Sequence, residues 1–469
     1  MAALREMGEP GGMLDAKDAL DEGPTALIVD ANLNTNNPNN TSHTAGATFM
    51  GQFLDHDMTF DLGSRLGEPV EPLTSANART PALDLDSVYG GGPLADPELY
   101  ERVDPIGRQR PTRLRIESGG LFEDLPRNRN RSAIIADPRN DENVVIAGLQ
   151  AAVIKFHNAA VDLVARDGQT TPDAVYRRAR QLTTWHYQWM IVHEFLPLFI
   201  GQPLVNDILR NGRRYYRPPV GYIPVEFQGA AYRFGHSMVR PSYRVNLAGD
   251  VDAAGKPAPF FAMVFDPTAE GQADPIDMRG GARARRRFIG WQTFFDFGLR
   301  EADGVSPAVK PNKLIDTRIS TPLFNLPLGA IASGEPPTSL PQRNLLRHVT
   351  WSLPSGQSIA RAMRAPALGG SDFAELRALR FGLESSTPLW YYVMREAAVM
   401  EKGLRLGPVG GRIVGEVFIG LLQMDRDSYL ATNPDWRPTL PTRTGRITGD
   451  FRMVDFLTFA GVDPATRGQ

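Results

Sequence analysis

The chain has 469 residues, 42% hydrophobic and 22% charged, with a formal net charge of -2 at pH 7 and a sequence pI near 6.4. This is an ordinary globular composition with ample apolar content for a large core, and its near-neutral balance gives no electrostatic reason to bind nucleic acid or an anionic membrane. Cysteine is absent, which excludes disulfides, thiolate metal sites, iron–sulfur clusters, thiolate-ligated haem and cysteine nucleophiles together.

Length alone suggests roughly three domains. The 38 prolines and 45 glycines are spread throughout rather than gathered at a linker, and no internal repeat stands out. The reading is therefore an N-terminal arm over residues 1–25 and one large, mainly α-helical domain over residues 26–469, with long irregular connections and little β structure. Residues 1–24 lack the apolar run of a secretory leader, and no window approaches 18 uninterrupted apolar residues. Neither Sec export nor a transmembrane segment is expected from the chain as given, and the compartment stays open, as does the oligomeric state.

In chain order, Asn32 to Thr44 is rich in Asn, Ser and Thr and reads as a loop. A helix is predicted from about Ala45 to Phe60, carrying Gly51-Gln52-Phe53-Leu54-Asp55-His56-Asp57. On a helix Gln52 and His56 share a face, Asp55 and Asp57 project to either side of His56, and Phe49, Phe53 and Phe60 form an apolar stripe that roots the turn. Residues 61–130 are dense in Pro, Gly and charge and read as irregular; they contain Thr80, Ala82, Asp84 and Asp86 ahead of Tyr89-Gly90. Apolar spacing of three and four predicts helices over 142–165 and 172–199. Further helices fit 230–239, which holds Tyr232-Arg233-Phe234-Gly235-His236, and 286–297, 357–364, 388–400 and 411–422.

Five segments then stand in order: residues 51–57; the loop Thr80 to Asp86; Asp137-Pro138-Arg139-Asn140-Asp141-Glu142 with Phe156-His157-Asn158 after it; Arg233-Phe234-Gly235-His236; and Arg343-Asn344-Leu345-Leu346-Arg347. This ordered set resembles the animal-type haem peroxidases of the peroxidase–cyclooxygenase superfamily, over roughly residues 30–440. The resemblance implies haem b between two histidines. His56 would be the distal acid–base group, Arg139 the catalytic arginine and His236 the proximal iron ligand, with Asn344 hydrogen-bonded to His236. Asp55 and Glu142 would be the carboxylates that can form esters to the haem. Asp57, Thr80, Ala82, Asp84 and Asp86 would bind calcium. Hydrogen peroxide and small electron donors such as phenols, aromatic amines, iodide, bromide or thiocyanate would be the substrates, by way of an oxoferryl species.

Physical chemistry asks for these residue types independently. A group that takes a proton from bound peroxide and returns it to the departing oxygen must titrate near working pH, which suits histidine. A guanidinium stabilises the charge on the leaving oxygen without giving up its own proton. Oxygen ligands from carboxylates, a hydroxyl and carbonyls suit calcium.

Arg233 lies three residues before His236 and is placed to pair with a haem propionate. In the cyclooxygenase branch that position is a tyrosine, and Tyr232 is one residue off, so fatty-acid oxygenation is the weaker reading. Asn143 stands where some mammalian members carry a haem-linked methionine, so no sulfonium bond is expected. Gln52 can bind a small anion or a water, or only pack. His157, His186 and His193 read as core histidines, His43 as a loop residue, His348 as a surface or supporting residue, and Arg283 to Arg287 as a solvated face. The remaining alternatives are a catalytically silent calcium- and haem-binding module and a haem-free metal hydrolase built on Asp-His-Asp.

Overall fold

The computed structural model describes residues 1–466 except 62, 76, 102–111, 119–121, 169–170, 273, 282–285, 301–303, 305–306 and 332. Its centre is the helix Val144–Arg166, paired with Pro172–Met190, which continues through a π turn at Ile191–Phe195 into Leu196–Ile200. Val144–Arg166 is long and apolar enough to cross a membrane, yet most of it is buried inside the fold. Its start is fixed by Asn143, whose side-chain oxygen accepts the Val145 and Ile146 N–H groups at 3.1 and 3.0 Å, satisfying donors that the first turn leaves orphaned.

The helix Gly46–Met58 packs on Val144–Arg166, and the 3₁₀ helix Ala231–Met238 contacts Gly46–Met58 and sets Tyr232 and Phe234 against Phe195 and Phe199. Leu340–Thr350, Leu389–Met400 and Pro408–Met424 complete the wall around them. One contiguous apolar core runs from Ala3 to Val462. The first residues are part of it. Ala2–Met7 buries Ala3, Leu4 and Met7 and lies on Leu340–Thr350, where Gln342 Nε2 donates to Arg5 O at 2.8 Å.

Strands are few and short, as the residue pattern suggested. Three departures have physical causes. Asn39–Thr44 is a strand rather than loop, pairing antiparallel with Pro311–Lys313. Ser242–Val251 and Pro257–Met263 form an antiparallel hairpin that sequence alternation did not reveal, because register shifts after Arg244 and Asn246 break the period of two. Residues 286–297 form only a single 3₁₀ turn, Trp291–Thr293. Their backbone groups are spent on neighbours instead, Gly290 N–H on Val245 O at 2.9 Å and Thr293 O on Lys310 N–H at 3.0 Å. Of the expected solvated run Arg283 to Arg287, residues 283–285 lie outside the described residues. Arg286 is partly buried and pairs with Asp274 at 2.9 Å, and Arg287 is buried, so these two are not a solvated face.

Candidate active site

One cavity, of about 830 Å³, brings together His56, Gln52 and Asp55 from the helix Gly46–Met58, His236 and Arg233 from the 3₁₀ helix Ala231–Met238, and Arg139, Glu142, Arg343 and Arg347. That volume suits a large organic ligand.

His56 is buried on the helix Gly46–Met58. Its Nδ1 meets Asn140 Oδ1 at 2.9 Å, and Asn140 Nδ2 is itself anchored on Gln150 Oε1 at 2.8 Å. Since an amide oxygen only accepts, Nδ1 carries the proton and Nε2 keeps its lone pair. Nε2 lies 3.5 Å from Glu142 Oε1, which also accepts the Gln52 amide. Asn143 Nδ2 donates to Gln52 Oε1 at 3.4 Å, so the residue in the methionine position caps a helix and steadies Gln52. Close approach holds Glu142 in place: Gly280 N–H donates to its carbonyl at 2.9 Å, and a Cβ on Gly280 would collide with Asp141 O.

Arg139 enters from the 3₁₀ turn Pro138–Asp141. Asp137 grips it with Oδ1 on Nε at 3.1 Å and Oδ2 on Nη2 at 2.8 Å, and Nη2 also donates to His56 O at 3.0 Å. Burial works against the Arg139 charge, but the Asp137 hydrogen bonds and charge outweigh it and raise its pKa. The guanidinium sits 4.2 Å from the Phe60 ring centroid. Phe60 lies past the helix end and is half-buried, so it is a cavity wall under Arg139 rather than part of the apolar stripe, whose members Phe49 and Phe53 are buried.

Across the cavity, His236 Nδ1 meets the Asn344 side-chain amide at 2.8 Å, through Nδ2; Asn344 Oδ1 is buried with no partner among the described residues. Turning that amide by half a rotation would let Oδ1 accept an Nδ1 proton, leaving the Nε2 lone pair for a metal ion. Burial first and Arg233 second push the His236 pKa down to about 3, so the ring is neutral, as a metal ligand must be.

Arg233 and His236 share a 3₁₀ helix, where a spacing of three places side chains directly in line. Arg233 Nε donates to Gln228 O at 2.7 Å. Burial, then Arg347, lowers its pKa to about 9, and the same causes lower Arg343. Among the described residues only Arg347 of these three has an ion pair, to Asp61 at 3.2 Å. This corner therefore holds more cationic than anionic groups, an arrangement that fits a ligand bearing two carboxylates. A neutral imidazole, surplus guanidinium charge and this volume together match haem.

Asp55, half-buried at the cavity edge, accepts the Thr59 hydroxyl at 2.9 Å. Tyr232 also lines the cavity. It donates to Gly51 O at 2.9 Å and stacks on Phe227, pinning the two helices together.

Asp57, the next residue after His56, faces away from the cavity. Its carboxylate lies with those of Asp84 and Asp86 within 4.8 Å of one another. It accepts from Ser87 Oγ at 3.0 Å, Leu85 N–H at 3.1 Å and Tyr187 Oη at 3.1 Å. Burial, then Asp84 and Asp86, hold its pKa well above the ordinary value; burial and then Asp86 raise Asp84 to about 6. Such mutual raising marks carboxylates short of a cation. Thr80 N–H donates to Asp86 Oδ2 at 3.0 Å and Ala82 N–H to Thr80 O at 2.8 Å, which places both residues of the loop beside the cluster.

Four of the other five histidines have structural partners. His157 lies between Tyr89 Oη at 3.0 Å and Thr112 O at 2.7 Å, His186 donates to Leu182 O at 2.7 Å, and His193 stacks on Trp189. His43 is buried in the strand Asn39–Thr44 between Asn40 and Asn312, which corrects its reading as a loop residue. His348 is half-buried on the helix of Asn344.

The family model of animal haem peroxidases matches residues 63–286, a span that includes Arg139 and His236 but begins after His56. The dual oxidase of Drosophila melanogaster is 32% identical over 112 residues, covering 24% of this chain and 7% of that protein. Thyroid peroxidase of Rattus norvegicus is 25% identical over 231 residues, covering 44% and 24%. This chain thus spans a quarter or less of the length of those relatives. Among solved structures, peroxidase A from Dictyostelium discoideum superposes with a TM-score of 0.58 at 16% identity, over 84% of this chain and 81% of that one. Oryza sativa fatty acid alpha-dioxygenase gives 0.58 at 18% identity, over 89% and 74%. At these identities the likeness is one of fold.

Proposed function

From the premise that the chain belongs to the animal haem peroxidase family, we propose that it reduces hydrogen peroxide and oxidises small electron donors such as phenols, aromatic amines, iodide, bromide or thiocyanate. The observation that carries this reading is the pairing in one cavity of a histidine with a free Nε2 and a neutral histidine, His56 and His236, with Arg139 beside the first.

His236 would hold the iron of haem b, with Asn344 fixing its tautomer, while Arg233, Arg343 and Arg347 take up the two propionates. When bound, haem supplies the redox-active iron. The chain's own residues supply the proton movements. His56 Nε2 removes a proton from peroxide and returns it to the departing oxygen, and Asn140 keeps the ring in the tautomer that can do so. Arg139, its charge secured by Asp137, stabilises the negative charge that develops on that oxygen. Gln52 and Glu142 hold a polar pocket for peroxide or a small anion against His56. Asp55 and Glu142, both on the cavity wall, would be the carboxylates available for ester attachment of the haem. Asp57, Asp84 and Asp86 would bind Ca²⁺ with Thr80 and Ala82, clamping the helix that carries His56.

The test is an absorption spectrum of haem-loaded protein before and after peroxide, with phenol turnover, for the parent, His56→Ala and Arg139→Ala. Both variants are expected to respond at least a hundredfold more slowly, on the order of the loss for an acid–base group. Equal rates in all three would sink the assignment. Oxygen uptake with palmitate in place of phenol turnover would move the chain to the fatty-acid dioxygenase branch.

A further inference from the structure

Arg79 touches both halves of the site. Its Nη1 donates to Asp86 Oδ1 at 3.4 Å in the acidic cluster, Nη2 donates to Ala136 O at 3.3 Å, and Nε lies 3.2 Å from Asp137 Oδ2. Asp137 is fully buried and binds Arg139 through both oxygens. Arg139 in turn donates to the carbonyl of His56, the residue before Asp57. The contacts close a ring that runs from Asp86 through Arg79, Asp137, Arg139 and His56 to Asp57, and back across the cluster to Asp86.

A buried carboxylate between two guanidiniums divides its charge between them, so whatever draws one away tightens its hold on the other. A divalent cation in the cluster satisfies Asp86 and leaves Arg79 to Asp137, which eases the grip on Arg139. Without the cation, Asp86 draws more strongly on Arg79, and more of the Asp137 charge falls on Arg139, which stiffens its hold there.

We propose that Arg79 and Asp137 are positioning residues that couple cation occupancy of the Asp57–Asp84–Asp86 cluster to the placement of Arg139. This rests on the reading of Arg139 as part of a peroxide site and of the cluster as a Ca²⁺ site. Coupling of this kind is reciprocal, so changes at Asp137 must be felt by the ion although Asp137 is no ligand to it.

The experiment is calorimetric titration of the haem-loaded protein with Ca²⁺ in the parent, Asp137→Asn, Arg79→Gln and the double variant, with circular dichroism to compare their folding. Asp137→Asn is expected to weaken Ca²⁺ binding roughly fivefold, because Arg79 then leans wholly on Asp86 and competes with the ion. In the Arg79→Gln background the same substitution is expected to change Ca²⁺ affinity by less than about twofold. Asp137→Glu, which keeps the charge, restores binding. A second readout is the peroxide-driven change in the Soret band with Ca²⁺ and with a chelator; the chelator slows it in the parent and in Arg79→Lys, and much less in Arg79→Gln. Should Asp137→Asn not fold, this comparison of the two Arg79 variants decides. No Ca²⁺ binding by the parent, an equal effect of Asp137→Asn with and without Arg79, or equal chelator effects in Arg79→Lys and Arg79→Gln would each overturn the proposal. A parent that shows the Ca²⁺ coupling but no Soret response to peroxide would instead refute the peroxidase reading alone.

Discussion

Asn140 accepts a hydrogen bond from His56 at 2.9 Å, and that contact decides which nitrogen of the ring can act as a base. Asn140→Ala leaves Nδ1 without its acceptor and lets the proton settle on Nε2, where it blocks proton removal. The rate of the peroxide-driven Soret change is expected to fall roughly tenfold to a hundredfold, with haem content unchanged. Stopped-flow absorbance measures it; a rate within twofold of the parent would show that the tautomer is set elsewhere.

Ca²⁺ removal is expected to cost more stability at pH 7.5 than at pH 5. Asp84 has its carboxyl pKa raised from 3.8 to about 6, and Asp57 is raised in the same direction by burial and by Asp84 and Asp86. A carboxyl raised on folding binds its proton more tightly in the folded chain, so its favourable contribution is complete below pH 3.8 and is lost as pH rises through 6. Above that, the metal-free cluster carries unrelieved charge that only a cation offsets. Thermal melts with saturating Ca²⁺ and with chelator give the comparison. Saturation at a hundred times Kd contributes about 2.7 kcal/mol; a chelator effect independent of pH would contradict the cluster's role.

His236 is held neutral, its pKa lowered from 6.5 to about 3 by burial and by Arg233. Between those values an unfolded chain binds more protons at this residue than the folded one, so acidification works against the folded site, and protonation of the ring removes its hold on a metal. Arg233→Gln takes away one of the charges that keep the ring neutral. Acid-induced haem release, followed at the Soret maximum, is expected to begin roughly one pH unit higher than in the parent. Release at the same pH would mean that burial alone suffices.

Tyr232→Phe separates two readings of a tyrosine near the proximal helix. Its hydroxyl is spent on Gly51 O, so the variant should lose about 1 kcal/mol of stability in denaturant unfolding. Phenol turnover should stay within twofold. A large loss of turnover with unchanged stability would point to a tyrosyl role in the chemistry.

The side chains that meet in the cavity were legible through the ordered set of segments that resembles the animal-type haem peroxidases, and the chemistry suits their residue types: His56, Arg139 and His236 lie up to 180 positions apart in sequence and line one space. Their supports were harder to read. Asp137, Asn140, Arg343 and Arg347 lay inside segments already singled out, yet letters do not say which way a side chain faces. Tyr187, which donates to Asp57 from 130 residues away, left no signal at all. For the fold, the helix 144–166 and the helical run 172–200, with its π turn at Ile191–Phe195, followed from their apolar period to within a few residues. The hairpin of 242–263 and the irregular stretch after Arg286 did not, because bulges erase the strand period and long-range backbone bonds override local propensity.

His56 and Asp57 are consecutive residues that serve opposite faces of one helix. A single residue inserted or deleted at this junction would turn everything beyond it by about 100°, so the step between them admits substitution but no change of length. Changes of length on this side of the molecule are therefore confined to the connections outside the helix, away from the step that holds the two sites in phase.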